Sequence, residues 1–288
     1  MFAELKSRAI VRLSGPETRP FLQGLLSNDV TRDGAIFSAL LSPQGKILFD
    51  LLLLNRADDT LIDCEAARAD ELVAKLKLYR LRARIDIARL TEVSLFAEWQ
   101  GAGEFHPVSS LRPSRGSTDA RGKSGPDTFI DPRLSALGAR AIGPRSTEQD
   151  SADEAAYTAH RLAVGVPESA AELGIEKLFL LEANAEELHG VDFRKGCYVG
   201  QELTSRMKRK AELKKRLLPL AIAGEAAPGA NVTADEEILG QVIGGRRGIA
   251  FALLRLDRVA AARAAGAPIK IAGTPADLRV PAYLEGRV

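Results

Sequence analysis

Cysteine is nearly absent from the chain, with two residues, Cys64 and Cys197, among 288. That excludes a disulfide scaffold, and it excludes a zinc or iron–sulfur site built only from cysteines of one chain. It also points to a reducing compartment. Long apolar runs are missing too. The longest joins Ile47, Leu48 and Phe49 to residues 51–54 across Asp50, far short of the roughly 18 residues of a membrane span. The first residues hold no apolar core of the secretory kind, so a cytoplasmic protein is expected. Net charge is small, 40 Lys+Arg against 38 Asp+Glu for +2, which argues against a strongly basic nucleic-acid coat and against an acidic disordered tail. The three histidines, His106, His160 and His189, are scattered and read as structural or solvated. There is no H-E-x-x-H, no paired Cys-x-x-Cys, no catalytic triad, and neither a P-loop nor a G-x-G-x-x-G glycine pattern.

What is present is a globular composition, 45% hydrophobic and 27% charged, in a length that suits about two domains. A strand is expected at residues 9–13. A helix then starts at Ser14, with Pro16 in its first turn and Glu17 closing an S-x-x-E capping box, and stops near Asn28 and Asp29. Residues 36–41 and 46–55 read as a hairpin around Ser42-Pro43-Gln44-Gly45. Its second strand is apolar on both faces, as a central strand is. A strand at 60–64, a helix over 68–81, and strands at 85–88 and 93–99 complete an α+β unit. Residues 101–127 read as a long loop. A strand at 136–142 and a helix over 152–164, capped by Ser151, follow. Beyond Arg216, short strand-like pieces at 217–222, 237–242, 249–254, 268–271 and 278–283 suggest a small barrel or sandwich, with a boundary near Lys214 and Lys215.

Chemistry concentrates in residues 195–202, Lys-Gly-Cys-Tyr-Val-Gly-Gln-Glu. Two glycines bracket Cys197 and let the backbone turn sharply. A helix start at Gln201 and the cations Arg194 and Lys195 favour a thiolate. A reactive or metal-ligating thiol and a buried structural cysteine both remain open on local physics. Asp50 inside an apolar strand and Glu182 after an apolar run each need a partner or a ligand, unless they simply face outward. The basic cluster Arg206, Lys208, Arg209, Lys210, Lys214, Lys215 and Arg216, with only Glu212 against it, fits a phosphate, polyglutamate or RNA contact. The simpler reading, which we favour, is a solvated linker face.

Residues 195–202 match the signature K-G-C-[FY]-x-G-Q-E at every fixed position. By it the chain resembles the folate-binding YgfZ family, bacterial relatives of mitochondrial iron–sulfur assembly factors and, more remotely, of the glycine-cleavage T-protein, an aminomethyltransferase. FLQGLLSNDV (21–30), SPQGKILFD (42–50), YRLRARI (79–85) and LEAN (181–184) support the match in family order. The T-protein lacks the KGC signature, which favours YgfZ. The resemblance implies an α+β, T-protein-like, three-lobed folate-binding fold with a small C-terminal β-barrel. It implies a folate-binding domain of two α+β lobes over 1–214 and a barrel domain over 215–288. It further implies tetrahydrofolate as cofactor, Cys197 as the reactive residue, and Asp50, Glu182, Lys195, Gln201 and Arg206 as the binding set. Asp50 resembles, or lies next to, the T-protein carboxylate beside the reacting folate nitrogen, and Glu182 resembles the glutamate that holds the pterin ring. After Gln201-Glu202, Thr204 and Arg206 fit the family pattern, whereas Met207-Lys208-Arg209-Lys210 departs from it.

The function implied is that of an accessory protein for iron–sulfur cluster assembly or repair, indirectly supporting tRNA-modifying enzymes. Cluster carriers or client proteins would be its partners, with no direct nucleic-acid contact and no membrane. The alternatives are an aminomethyltransferase-type one-carbon transferase and a folate-free module that docks through the Cys197 loop.

Overall fold

The computed structural model describes residues 1–100, 127–144, 152–210 and 213–288. The loop expected at 101–127, and with it His106, lies outside the described residues except for Asp127, which opens a strand instead; Ser151 and Glu212 lie outside them too. By compactness the chain forms two units, residues 1–38 with 51–161, and residues 39–50 with 162–288.

The first unit opens with β1 (Phe2–Glu4) and β2 (Arg8–Ser14). Helix α1 (Thr18–Gln23) is shorter than the sequence suggests. The capping box does not form. Glu17 makes no side-chain cap, because its Oε2 accepts the Arg84 amide at 2.6 Å instead. The helix ends early because Leu25 and Leu26 close a tight turn on the Leu22 carbonyl and the buried Asn28 side chain donates to the Phe37 carbonyl at 2.8 Å.

Strands β3 (Gly34–Leu41) and β4 (Ile47–Asn55) form the expected hairpin, and every residue of β4 is buried. That accounts for its lack of polar alternation. Ser42 donates to the Lys46 carbonyl at 2.8 Å, and Gly45 supplies the left-handed residue at φ +75. After β5 (Asp59–Glu65), α2 (Ala69–Arg80), β6 (Asp86–Leu90) and β7 (Val93–Glu98), the described chain resumes at β8 (Asp127–Ile130) and β9 (Ala139–Pro144). The strand expected from residue 136 starts later because residues 135–137 coil into a 3₁₀ turn. Two sheets result, in the orders β3-β4-β5-β2-β6 and β1-β7-β9-β8.

Inside this unit runs a buried ionic chain. Arg8 bonds Asp63 at 2.6 Å, Arg140 bonds both Asp63 and Asp131, the latter at 3.2 Å, and Arg133 bonds Asp131 at 2.7 Å. Helix α3 (Glu154–Val164) carries the chain from the first unit, which ends at Arg161, into the second. Asp153 accepts the Ala156 amide at 2.8 Å there, and His160 bonds the Ala136 carbonyl at 2.8 Å, a structural role.

The second unit contains α4 (Ala170–Leu173), α5 (Gln201–Arg209) and a closed barrel. The barrel strands are β10 (Lys215–Ile222), β11 (Asn231–Ala234), β12 (Glu237–Arg246), β13 (Ile249–Arg255), β14 (Ile269–Ile271) and β15 (Thr274–Leu278), in the order β10-β13-β12-β11-β14-β15. Residues 278–283, expected as a strand, leave the sheet at Leu278 and enter a 3₁₀ turn after Pro281, since proline cannot donate to the ladder. Helix α6 (Leu256–Ala265) inside the barrel sequence was not expected. Only Val259 and Ala262 of it are buried, so its apolar period is weak. Leu217 and Phe251 of the barrel share one core cluster with Leu41, Ile47, Leu162 and Leu178.

Candidate functional site

All six candidate residues belong to the second unit. Asp50 sits in β4 and is buried. Both of its carboxylate oxygens lie 3.2 Å from the Ser169 amide nitrogen. Glu182 lies in the turns that follow Leu180, where its Oε2 accepts the Phe179 amide at 3.1 Å and its carbonyl accepts the Leu217 amide at 2.8 Å. Its Oε1 makes no hydrogen bond among the described residues, which leaves an acceptor for a ligand's N–H edge. Neither carboxylate faces outward, so the outward-facing reading fails for both.

Lys46, which the sequence did not single out, stands beside Glu182. Its ammonium lies 3.4 Å from the Phe179 ring centroid and donates to the Lys177 carbonyl at 3.0 Å. Burial lowers its pKa, Glu182 opposes that shift, and Lys215 reinforces it. The SPQGK turn thus contributes a cation to the same neighbourhood as LEAN, a relation that motif order alone does not reveal.

In the 195–202 segment, Asp192 Oδ1 accepts the Arg194 amide at 2.7 Å and the Lys195 amide at 3.2 Å. Lys195 turns inward and is buried, its ammonium 5.0 Å from the centroid of the Tyr198 ring. Cys197 turns outward and is exposed, whereas Cys64 is buried. The buried-cysteine reading of Cys197 therefore fails. Helix α5 begins at Gln201, four residues beyond the thiol, with Gly200 as N-cap at φ +80. A Cβ on Gly200 would meet the Ser42 carbonyl at 2.7 Å and the Leu41 side chain at 2.9 Å. The hairpin turn therefore packs directly on the helix start, and only glycine fits there. Burial raises the Tyr198 pKa, with the Thr204 hydroxyl acting against it.

An open cavity of about 530 Å³ lies here, lined by Pro43, Tyr198, Gln201, Glu202, Ser205 and Arg209 among others. Gln201 is the one candidate residue on its wall. Arg206 is exposed on α5. Lys208, Arg209, Lys210, Lys214 and Lys215 are also exposed, as a solvated face requires. Arg216 is not part of that face, because it is buried against Asn184 at 2.9 Å and Glu187 at 2.7 Å. Among the described residues no group of three His, Cys, Asp or Glu side chains could hold a metal ion, and no helix is long and apolar enough to cross a membrane.

Comparisons with known proteins find relatives of the chain and of its fold. The model of the CAF17 C-terminal β-barrel domain matches residues 214–285. The mitochondrial iron–sulfur cluster assembly factor IBA57 homolog of Neurospora crassa is 30% identical over 244 residues, 78% of this chain and 54% of that protein. The mitochondrial IBA57 assembly factors of mouse and human are each 28% identical, over 88% of this chain and 77% of theirs. The chain spans little more than half the length of the fungal relatives. Among solved structures, the glycine cleavage system aminomethyltransferase T of Bartonella henselae superimposes with a TM-score of 0.68, covering 99% of this chain and 86% of that one at 16% identity. The fold is therefore the α+β fold of that aminomethyltransferase, with a six-stranded C-terminal barrel.

The compartment expectation is corrected. These relatives are all named as mitochondrial, which overturns the cytoplasmic reading. The lack of an apolar secretory core does not bear on import into that organelle, which uses amphipathic, arginine-rich segments.

Proposed function

We propose that this chain is a tetrahydrofolate-binding accessory protein of the YgfZ type for iron–sulfur cluster assembly or repair, with an indirect effect on tRNA-modifying enzymes that need clusters. The observation that carries the reading is the division of labour within residues 195–202. Lys195 and Tyr198 are turned inward and Cys197 outward. One exposed thiol cannot hold a cluster alone, so a carrier or client protein supplies the other ligands. The names of the IBA57 relatives support the same role.

In this reading Glu182 accepts two N–H donors of the aminopterin edge, as a carboxylate's geometry suits, and its hydrogen bond to the Phe179 amide orients it. Lys195, Gln201 and Arg206 complete the binding set, and Asp50 serves it through the Ser169 amide that it holds. The partners are cluster proteins, without a direct nucleic-acid contact.

Calorimetric titration of the chain with tetrahydrofolate tests the binding half. Glu182→Ala is expected to weaken affinity tenfold to a hundredfold, as the loss of about 1.5–3 kcal/mol of charged hydrogen bonding requires. Glu182→Gln keeps an acceptor for Phe179 and separates charge from turn geometry. Unchanged affinity in Glu182→Ala contradicts the assignment. The transferase alternative needs a carboxylate at the reacting nitrogen, and Asp50 is engaged with a backbone amide. A glycine-cleavage assay with lipoyl carrier protein is therefore expected to show no turnover.

A further inference from the structure

We propose that Asp50 is a positioning residue that clamps a strained turn at Ser169 into its ligand-competent conformation and does not itself touch the ligand. The inference rests on the folate reading only for its ligand.

Ser169 has φ 66 and ψ 170, a region that glycine enters freely and an L side chain enters only under strain. The residue is buried, so solvent does not compensate its backbone. What faces its amide is the Asp50 carboxylate, with both oxygens at 3.2 Å straddling one N–H. A buried carboxylate is costly without donors, and a charge-assisted bond to a backbone amide is among the stronger ways to satisfy one. The bond between them thus offsets part of both costs, that of the buried charge and that of the strained turn.

The rest of the turn is held as closely. The Ser169 carbonyl accepts the Glu172 and Leu173 amides at 3.2 and 3.0 Å. Glu172 is buried, accepts the Glu168 amide at 2.9 Å, and accepts Arg246 of β12 at 2.9 Å. A Cβ on Gly244 would meet the Ala171 carbonyl at 2.1 Å, so the β12 backbone lies directly on the turn. Strained residues persist where their surroundings over-determine them, and they gather at ligand sites. Ser169 meets the first condition through two strands of the same unit. Asp50 holds the amide of the strained residue itself.

The test compares the full-length wild type with Asp50→Ala, Asp50→Asn and the double variant Asp50→Ala/Ser169→Gly. Asparagine offers Oδ1 to the same amide, and glycine adopts the Ser169 dihedrals without a clamp. In calorimetry with tetrahydrofolate, Asp50→Ala is expected to lose roughly tenfold in affinity, the scale of one charged hydrogen bond. Asp50→Asn and the double variant are expected to recover most of that loss. If Asp50→Asn binds as weakly as Asp50→Ala and Ser169→Gly restores nothing, the carboxylate meets the ligand itself and the proposal is wrong.

Amide exchange at Ser169 needs no ligand. Slow exchange in wild type and Asp50→Asn, and fast exchange in Asp50→Ala, support the clamp; equal rates in all three overturn it. Wild-type protein that protects this amide yet binds no tetrahydrofolate would overturn the folate reading and leave the clamp standing. If Asp50→Ala does not fold, recovery of folding by the added Ser169→Gly supports the clamp, and failure to recover counts against it.

Discussion

Asn184 and Arg216 are joined by a 2.9 Å hydrogen bond from Nη1 to Oδ1, and the Asn184 amide group donates in turn to the Leu217 carbonyl at 2.8 Å. The last residue of the LEAN motif therefore anchors the first barrel strand. Asn184 is buried at φ +60, a left-handed conformation that asparagine tolerates better than most side chains. Asn184→Ala strands a buried carbonyl and a guanidinium N–H and adds backbone strain. It is expected to destabilise the chain by about 2–4 kcal/mol in urea unfolding. A loss below ~0.5 kcal/mol would show that the motif is held by something else.

The boundary at Lys214 and Lys215, separating residues 1–214 from 215–288, is a proposal that the family-model match starting at residue 214 supports. Leu217 and Phe251 are fully buried in a cluster whose other members come from residues 39–198. Removing those neighbours exposes two large side chains, about 1.5–3 kcal/mol each. Residues 215–288 expressed alone are expected to bind a hydrophobic dye and to lose amide protection in β10. Full-chain protection in the isolated fragment would show the barrel to be self-sufficient.

The hairpin was legible because Ser42-Pro43-Gln44-Gly45 supplies both turn dihedrals, and β4 because its apolar residues occupy both faces. The barrel was legible from short strands parted by glycine. Helix α6 was not, since its Leu-Asp-Arg-Val-Ala-Ala-Ala-Arg-Ala-Ala sequence carries propensity without an apolar stripe. The motif order located Asp50, Glu182 and Cys197, but not what they touch. Ser169 carries no sequence signal for a positive φ, and Lys46 reaches Phe179 across 133 residues of chain, from 46 to 179. Arg216 reads as one more cation of a basic run until its tertiary partners are seen. Local signals end where long-range pairing begins.

Acid should unfold the chain through its buried ionic groups. Burial opposes the Asp131 charge, but the Arg133 and Arg140 guanidiniums beside it hold its carboxyl below the usual range. Burial likewise opposes Asp59, which Arg56 and Arg12 hold low. A depressed folded pKa contributes stability that is present above the unfolded value of about 3.9 and is lost as pH falls through the folded one. The melting temperature is therefore expected to fall below roughly pH 4. Asp131→Asn should lower stability at neutral pH by about 3–5 kcal/mol and flatten that acid limb. An unchanged acid limb in the variant would remove Asp131 from the account.

The most direct measurement is iron–sulfur enzyme activity in cells that lack their own IBA57 relative and express this chain behind a mitochondrial import segment. The account predicts restored activity with wild type and none with Cys197→Ser, at equal protein levels and equal tetrahydrofolate affinity, because the exposed thiol serves the partner and not the fold. Full restoration by Cys197→Ser, or none by the wild type, would contradict it.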